Sequence, residues 1–155
     1  MKRALTRIGV CLALLLTGIA APAMAETHIV KLMSYDPDGG TDKTDYFDPP
    51  LIQIAKGDTV LFEATQLGHN AAFKKGMLPD GAPEWVGPMD KDYEVTFDVD
   101  GTYGYICSPH YSTGMVGIVL VGDYKVNMDA AKKAKQRGKA KKVFRTLFEE
   151  VEALE

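Results

Sequence analysis

The chain has 155 residues, of which 46% are hydrophobic, and its formal net charge is −3 at pH 7. After the first 25 residues no apolar stretch is long enough to cross a membrane, which excludes a membrane-spanning domain. The remaining 130 residues suit one compact domain with its own core.

The N-terminus has the pattern of a signal peptide. Basic residues precede an apolar stretch from Ile8 to Ala21, and Ala23-Met24-Ala25 has the small-x-small pattern that a signal peptidase cuts. The apolar stretch is shorter than a bilayer span, so a membrane anchor is the weaker alternative. We therefore predict a signal peptide over residues 1–25, cleavage after Ala25 and export of the mature chain.

Short β-branched segments separated by turn residues predict strands through residues 26–123. The segments are His28–Met33, Leu51–Ala55, Thr59–Ala64, Tyr93–Val99, Thr102–Ile106 and Val116–Val121. Asp, Gly and Thr residues make Ser34–Asp48 a predicted loop. Asp100-Gly101 is a hairpin turn signal, so we expect the strand after it to pair with the strand before it. This number of short strands, close to the seven of a typical sandwich, predicts an antiparallel β-sandwich.

The sequence changes character after Gly122, and residues 124–155 are predicted to form a helical extension packed on the sandwich. Met128–Lys135 lacks β-branched residues and predicts a first helix, with Asn127 as its N-cap and Gly138 as its stop. The second helix has apolar residues at helical spacing, namely Val143, Leu147, Val151 and Leu154, with Phe144 and Phe148 beside them. The extension carries 9 basic and 5 acidic residues. We interpret this excess as a solvated face, because an exported protein meets little nucleic acid.

Four residues with metal-binding side chains form one candidate ligand set. Cys107, His110 and Met115 fall within nine residues, on a loop between two predicted strands. His69 follows another strand. Two His and one Cys with a weak Met ligand is the arrangement that defines a blue-copper site. Cys107 is also the single cysteine of the mature chain, and such a thiol in an oxidising compartment needs an explanation.

Three other functions fit the same residues less well. Structural zinc sites normally close with further Cys or His ligands. A catalytic pair of Cys107 and His110 would have its two members three positions apart on one tight loop, without an obvious oxyanion donor. A multicopper oxidase or a copper nitrite reductase needs further histidines, and His28 is the one that remains.

These motifs together resemble the pseudoazurins of the cupredoxin family. The Cys-x2-His-x4-Met loop matches the family pattern, as does the separation from His69 to Cys107. Met77-Leu78-Pro79-Asp80-Gly81-Ala82 and Phe47-Asp48-Pro49 are similar to two further family segments. The resemblance covers essentially all of residues 26–155. It implies a mainly β fold, a cupredoxin Greek-key β-sandwich with two C-terminal α-helices.

The resemblance also implies the roles of the site residues. His69, Cys107 and His110 are the implied strong ligands of one copper ion, and Met115 is the implied axial ligand. Asn70 is implied to fix the ligand loops and to hydrogen-bond near the Cys107 sulfur, which tunes the reduction potential.

A docking surface around His110 is a further implication. The His110 ring edge is expected at the surface as the electron port, with Pro109 and Pro79 as apolar neighbours. Lys74 and Lys75 are the expected charged groups beside it.

The sequence departs from the family in two places. Val86 and Ile106 stand where lysines of the family's docking surface are expected. The Ser34–Asp48 loop is several residues longer than is usual in the family. We therefore expect a predominantly apolar docking surface, with weaker electrostatic steering than in a lysine-rich relative.

The function implied by the resemblance is one-electron transport in the periplasm by a monomeric protein with a type 1 copper site. The protein is expected not to be an enzyme. Its implied acceptor is a copper nitrite reductase or another periplasmic reductase or peroxidase, and its implied donor is a cytochrome. No nucleic acid and no membrane are expected as partners. The competing hypothesis is a copper-delivery protein without a redox partner.

Overall fold

The structure, a computed structural model, describes residues 24–154. The predicted signal peptide lies outside the described residues apart from its last two positions, so its cleavage site stays a prediction. The strands are β1 (Thr27–Met33), β2 (Tyr46–Asp48), β3 (Leu51–Ile54), β4 (Thr59–Glu63), β5 (Ala72–Phe73), β6 (Tyr93–Thr96), β7 (Gly101–Ile106) and β8 (Val116–Val121). A 3-10 turn (Tyr124–Asn127) and the helices α1 (Met128–Lys133) and α2 (Ala140–Glu152) follow. Within this part of the chain, no helix is long and apolar enough to span a bilayer.

The strands form two four-stranded sheets, with the orders β2-β1-β4-β6 and β3-β8-β7-β5. Most neighbours are antiparallel, but β1 pairs with β4 and β3 pairs with β8 in parallel. The prediction of a purely antiparallel sandwich is therefore wrong in this detail. The reason is that β3 joins the second sheet, so that β4 returns beside β1 in the same direction.

The predicted hairpin at Asp100-Gly101 is also wrong. β6 pairs with β4 in one sheet, whereas β7 pairs with β8 and β5 in the other. The chain passes from sheet to sheet at Gly101, where a Cβ atom would lie 2.7 Å from the Pro79 ring and 2.8 Å from Asn127 Oδ1. The sequence pattern of a turn signal beside an alternating strand is the same whether the next strand pairs in the same sheet or joins the other sheet. The sequence therefore could not show which of the two occurs here.

Aromatic side chains fill the space between the sheets and support β7. The rings of Phe62 and Tyr105 meet edge to face with their centroids 5.1 Å apart, and Phe47 meets the same tyrosine at 4.7 Å. Full burial of each such side chain stabilises the fold by about 1.5–3 kcal/mol. Tyr105 and Cys107 lie in one buried cluster, so the core fixes the strand end from which the Cys107 loop begins.

The predicted Ser34–Asp48 loop is not wholly irregular. Its last three residues form β2, which pairs with the end of β1 through Leu32 opposite Phe47 and Met33 opposite Tyr46. Phe47 is 1% exposed, and it anchors the loop in the core.

The two C-terminal helices lie where they were predicted, with three corrections. α1 ends at Lys133 and Ala134 follows it, so Gly138 is not its stop. Asn127 precedes α1 but does not cap it, because its amide accepts from Thr102 N–H at 2.7 Å and donates to Thr102 C=O at 2.9 Å. On α2 the buried stripe is Ala140, Phe144, Leu147, Phe148 and Val151. Leu154, expected in this stripe, lies beyond the helix and is 57% exposed. Since α2 packs against β8, the extension shares a core with the sandwich.

Candidate metal centre

The loop from Cys107 to Met115 joins β7 to β8 at one end of the sandwich. Cys107 N–H donates to Met115 C=O at 3.0 Å, which continues the ladder of the two strands by one step. Met115 N–H and Gly114 N–H both donate to His110 C=O at 3.1 Å. Gly114 has a φ of 107°, which a residue with a Cβ rarely adopts. The loop is therefore closed on itself by its own backbone.

His69 reaches this loop from the segment between β4 and β5, and Asp90 fixes it there. The Asp90 carboxylate accepts from Gly68 N–H at 2.6 Å and from His69 N–H at 3.1 Å. In return, Asp90 N–H donates to His69 C=O at 2.9 Å. Asp90 has a φ of 60°, a conformation in which aspartate is enriched.

Three ligand atoms converge at the site. Cys107 Sγ lies 3.7 Å from His69 Nδ1 and 3.6 Å from His110 Nδ1, and the two Nδ1 atoms are 3.1 Å apart. Metal bonds of roughly 2.0 Å to nitrogen and 2.3 Å to sulfur, opened to 120°, would separate nitrogen from sulfur by about 3.7 Å. The three side chains therefore fit a metal ion between them, and the set of two imidazoles and one thiolate suits copper.

Burial shifts the pKa values of two of these groups in opposite directions. Burial, followed by the neighbouring His110, lowers the pKa of His69, so its ring is neutral near pH 7 and has a lone pair to offer. Burial raises the pKa of the Cys107 thiol, although backbone N–H groups of Asn70 and His110 oppose this. A bound cation would supply the charge that stabilises the buried thiolate.

The Asn70 side chain connects its own segment to those of Ser108 and Gly87, beside the Cys107 thiol. Its Oδ1 accepts from Ser108 N–H at 2.8 Å, and its Nδ2 donates to Gly87 C=O at 3.1 Å. The side chain is buried, its bond to Gly87 is buried as well, and its bond to Ser108 is partly buried. The segment of His69 and the segment of Cys107 are therefore linked by a side chain that binds no metal.

The structure places the other predicted residues as follows. Met115 is fully buried in the same cluster as Cys107. Pro109 is exposed next to His110, and Lys75 is exposed as well. Lys74 Nζ lies 5.6 Å above the ring of Tyr111.

Pro79 does not belong to this surface. It is buried and packs against Gly101, at the end of β7 opposite to Cys107. This corrects the prediction that Pro79 contributes to the docking surface. The spacing along the chain could not show that the Met77–Ala82 segment runs along β7 away from the site.

Four polar residues at the site were not found from the sequence. Ser34 Oγ lies 2.7 Å from His69 Nε2, and Asp45 lies beside both histidines. Asp90 accepts a hydrogen bond from the His69 backbone. The Arg137 guanidinium lies 5.2 Å from the centre of the Tyr111 ring. These contacts join residues at least 21 positions apart, as in the bond from His69 to Asp90. No local motif marks such a contact.

Comparison with known proteins agrees with this geometry. The family of copper binding proteins described as plastocyanin/azurin matches residues 38–122. The pseudoazurin of Methylorubrum extorquens is 37% identical over 131 residues, which cover 84% of this chain and 86% of that protein. A putative pseudoazurin of Rhizobium leguminosarum is 40% identical over 116 residues, 75% of this chain and 74% of that one.

The solved structures agree as well. A pseudoazurin from Sinorhizobium superimposes with a TM-score of 0.76 at 37% identity, covering 83% of this chain and 98% of that chain. The predicted resemblance, the cupredoxin fold with two C-terminal helices and the copper cofactor are thereby confirmed. The chain belongs to the pseudoazurins, copper-binding cupredoxins that transfer electrons and are not enzymes.

Proposed function

We propose that His69, Cys107, His110 and Met115 hold one type 1 copper ion, and that the protein carries single electrons between periplasmic partners. The observation that carries this proposal is the convergence of two Nδ1 atoms and one Sγ atom within 4.8 Å of one another. Copper bound there would supply one-electron chemistry by alternating between Cu(II) and Cu(I).

Met115 is proposed as the axial ligand from its place on the loop. Its backbone is bonded to both Cys107 and His110, and its side chain is fully buried in the cluster that contains Cys107. A thioether is a soft, weak ligand of the kind found at the axial position of blue-copper sites.

The chain restrains the ligands independently of the metal. Asp90 holds the His69 segment, Asn70 joins this segment to the Cys107 segment, and the β7–β8 ladder closes the loop. Such restraint suits an electron carrier, because a site that moves little between two oxidation states needs little rearrangement when an electron enters or leaves.

The His110 ring is the proposed electron port. Its side chain is 28% exposed, whereas that of His69 is 1% exposed. Pro109 is exposed beside it, and the cations of Lys74 and Arg137 lie near the next residue, Tyr111. Cations at the rim of a port favour encounter with an acidic partner surface.

We further propose a copper nitrite reductase, or another periplasmic reductase or peroxidase, as the electron acceptor and a cytochrome as the donor. The similarity to pseudoazurins and the export pattern of residues 1–25 support this assignment. We propose that the mature chain starts at Glu26 and works as a monomer. Recovery of a monomer that starts at Glu26 from the periplasmic fraction supports export, and recovery of the full-length chain from the cytoplasm contradicts it.

The function is tested by mixing the reduced, copper-loaded protein with oxidised copper nitrite reductase in a stopped-flow instrument. We expect one electron to leave per protein molecule while the copper stays bound. The copper content is then measured after repeated cycles of oxidation and reduction. Transfer of the metal itself to the acceptor, instead of the electron, would identify a copper-delivery protein.

A further inference from the structure

The outer edges of the two histidines face a single carboxylate. Asp45 Oδ1 lies 3.9 Å from His69 Nε2 and 4.0 Å from His110 Nε2. These are the ring nitrogens opposite to the Nδ1 atoms that converge on Cys107. Both distances exceed hydrogen-bond length, so Asp45 acts on the site through its negative charge and not through a hydrogen bond.

The backbone fixes Asp45 in this place. Its φ of 51° is in the left-handed region, which aspartate tolerates better than most residues. Its N–H donates to Ser34 C=O at 3.1 Å, while Ser34 Oγ lies 2.7 Å from His69 Nε2. Since β2 begins at the next residue, both ends of the Ser34–Asp45 loop are held against β1.

Asp45 differs from Asp90, the other carboxylate near the site. Asp90 is engaged by two backbone N–H groups, which makes it a structural clamp of the His69 segment. Among the described residues, no hydrogen bond ends on the Asp45 side chain, and its carboxylate lies within 4.0 Å of both imidazole edges. The side chain is 30% exposed, so water screens its charge only in part.

We infer that Asp45 is a fixed negative charge that lowers the reduction potential of the copper site by favouring the more positive, oxidised state. This inference rests on the proposed ligand set. Reduction adds one electron from a partner protein and lowers the charge of the centre by one, with no transfer of atoms. A nearby carboxylate therefore stabilises the oxidised state more than the reduced state. On this inference, the Ser34–Asp48 loop brings the charge to the histidines.

The test compares the reduction potentials of Asp45→Asn and wild-type protein at neutral pH. Asparagine keeps the shape of the side chain and tolerates a positive φ, so only the charge is removed. We expect the potential to rise, and we expect the rise to shrink as salt is added. If Asp45→Asn folds poorly, Asp45→Gly takes its place, because glycine also suits a positive φ. This variant should shift the potential in the same direction.

Asp42→Asn is the matched control, because it removes one exposed carboxylate from the same loop without touching either histidine. Its potential should stay near that of the wild type. An equal shift in both variants would mean that net charge, and not the position of Asp45, matters. An unchanged potential in Asp45→Asn would overturn the inference.

Metal affinity gives a second readout that does not depend on electron transfer. Competition with a chelator measures the affinity of the metal-free protein for Zn²⁺ and for Cu(I). Asp45→Asn should weaken the binding of the divalent ion several-fold and that of the monovalent ion less; equal weakening of both would contradict the inference. If the wild-type protein does not cycle reversibly, the proposed function fails; if it does and Asp45→Asn has no effect, only the role of Asp45 fails.

Discussion

Asn70 shows how a single side chain can hold the site together without binding metal. Replacing it in Asn70→Ala leaves the Ser108 N–H and the Gly87 C=O without their partner. A buried polar group without a partner costs about 1–3 kcal/mol. We therefore expect the free energy of unfolding of the metal-free protein to fall by about 1–3 kcal/mol. Urea denaturation measures this, and a midpoint equal to that of the wild type would contradict the bridging role.

Asp58 makes the stability of the fold depend on pH. The N–H of Glu26, followed by the His28 ring at 3.0 Å, holds the pKa of this carboxyl below its usual value. The unfolded chain then binds more protons than the native chain. The stability that Asp58 contributes is therefore present above the unfolded pKa of about 3.9, and it is lost as the pH falls through the lower native pKa.

The expected result for Asp58→Asn is a flatter dependence of stability on pH. Urea unfolding at a series of pH values, from about pH 7 down to about pH 3, measures it. Asp80→Asn, which changes an exposed carboxylate, is the control and should keep the wild-type slope. If Asp58→Asn loses stability in acid as steeply as the wild type, the carboxylate has no such role.

At the scale of secondary-structure elements, the sequence predicted where strands and helices lie better than how they pair. The predicted strand Val116–Val121 is confirmed, and all of its residues are buried. Its continuous apolar run is typical of a strand that is buried on both faces. The partner of β6 could not be predicted, because alternation shows that one face is buried but not which sheet the strand joins. The α2 stripe was predicted in part: Leu147 and Val151 are buried as expected, and Val143 packs against the same cluster while partly exposed. Helical spacing alone could not show that Phe144 and Phe148, expected beside the stripe, are buried in it.

The segment between α1 and α2 changes the expected docking surface. It brings Arg137 to the Tyr111 ring, where Lys74 is the other cation. The double variant Lys74→Ala/Arg137→Ala should therefore slow association with an acidic acceptor and reduce the dependence of the rate on salt. Stopped-flow measurement across a salt series tests this.

The control for the docking surface is Lys56→Ala. Lys56 lies 3.7 Å from Asp100, next to Gly101, at the end of β7 away from the site. Its loss should leave the rate near the wild-type value. Equal slowing per charge removed, by the control and by the double variant, would show that only overall charge matters. No slowing by the double variant would favour the apolar surface that the sequence predicted.

On the scale of the whole molecule, the proposed ligand set could be recognised in the sequence because three of its members lie within nine residues of one loop. Cys107, His110 and Met115 have a spacing that one tight turn brings together. The charges around the copper site could not be predicted in the same way. Asp45 and Arg137 come from distant parts of the chain, and the folding of both sheets and of the C-terminal extension brings them to the site.

The central claim is that His69, Cys107, His110 and Met115 form one copper site that cycles between two oxidation states. Titration of the metal-free protein with Cu(II), followed by absorption spectroscopy, tests it most directly. We predict an intense sulfur-to-copper band that saturates at one equivalent, disappears on uptake of one electron, returns on oxidation, and is absent from folded Cys107→Ala. A correctly folded wild-type protein that stays colourless with Cu(II), or that loses its copper on reduction, would contradict the account.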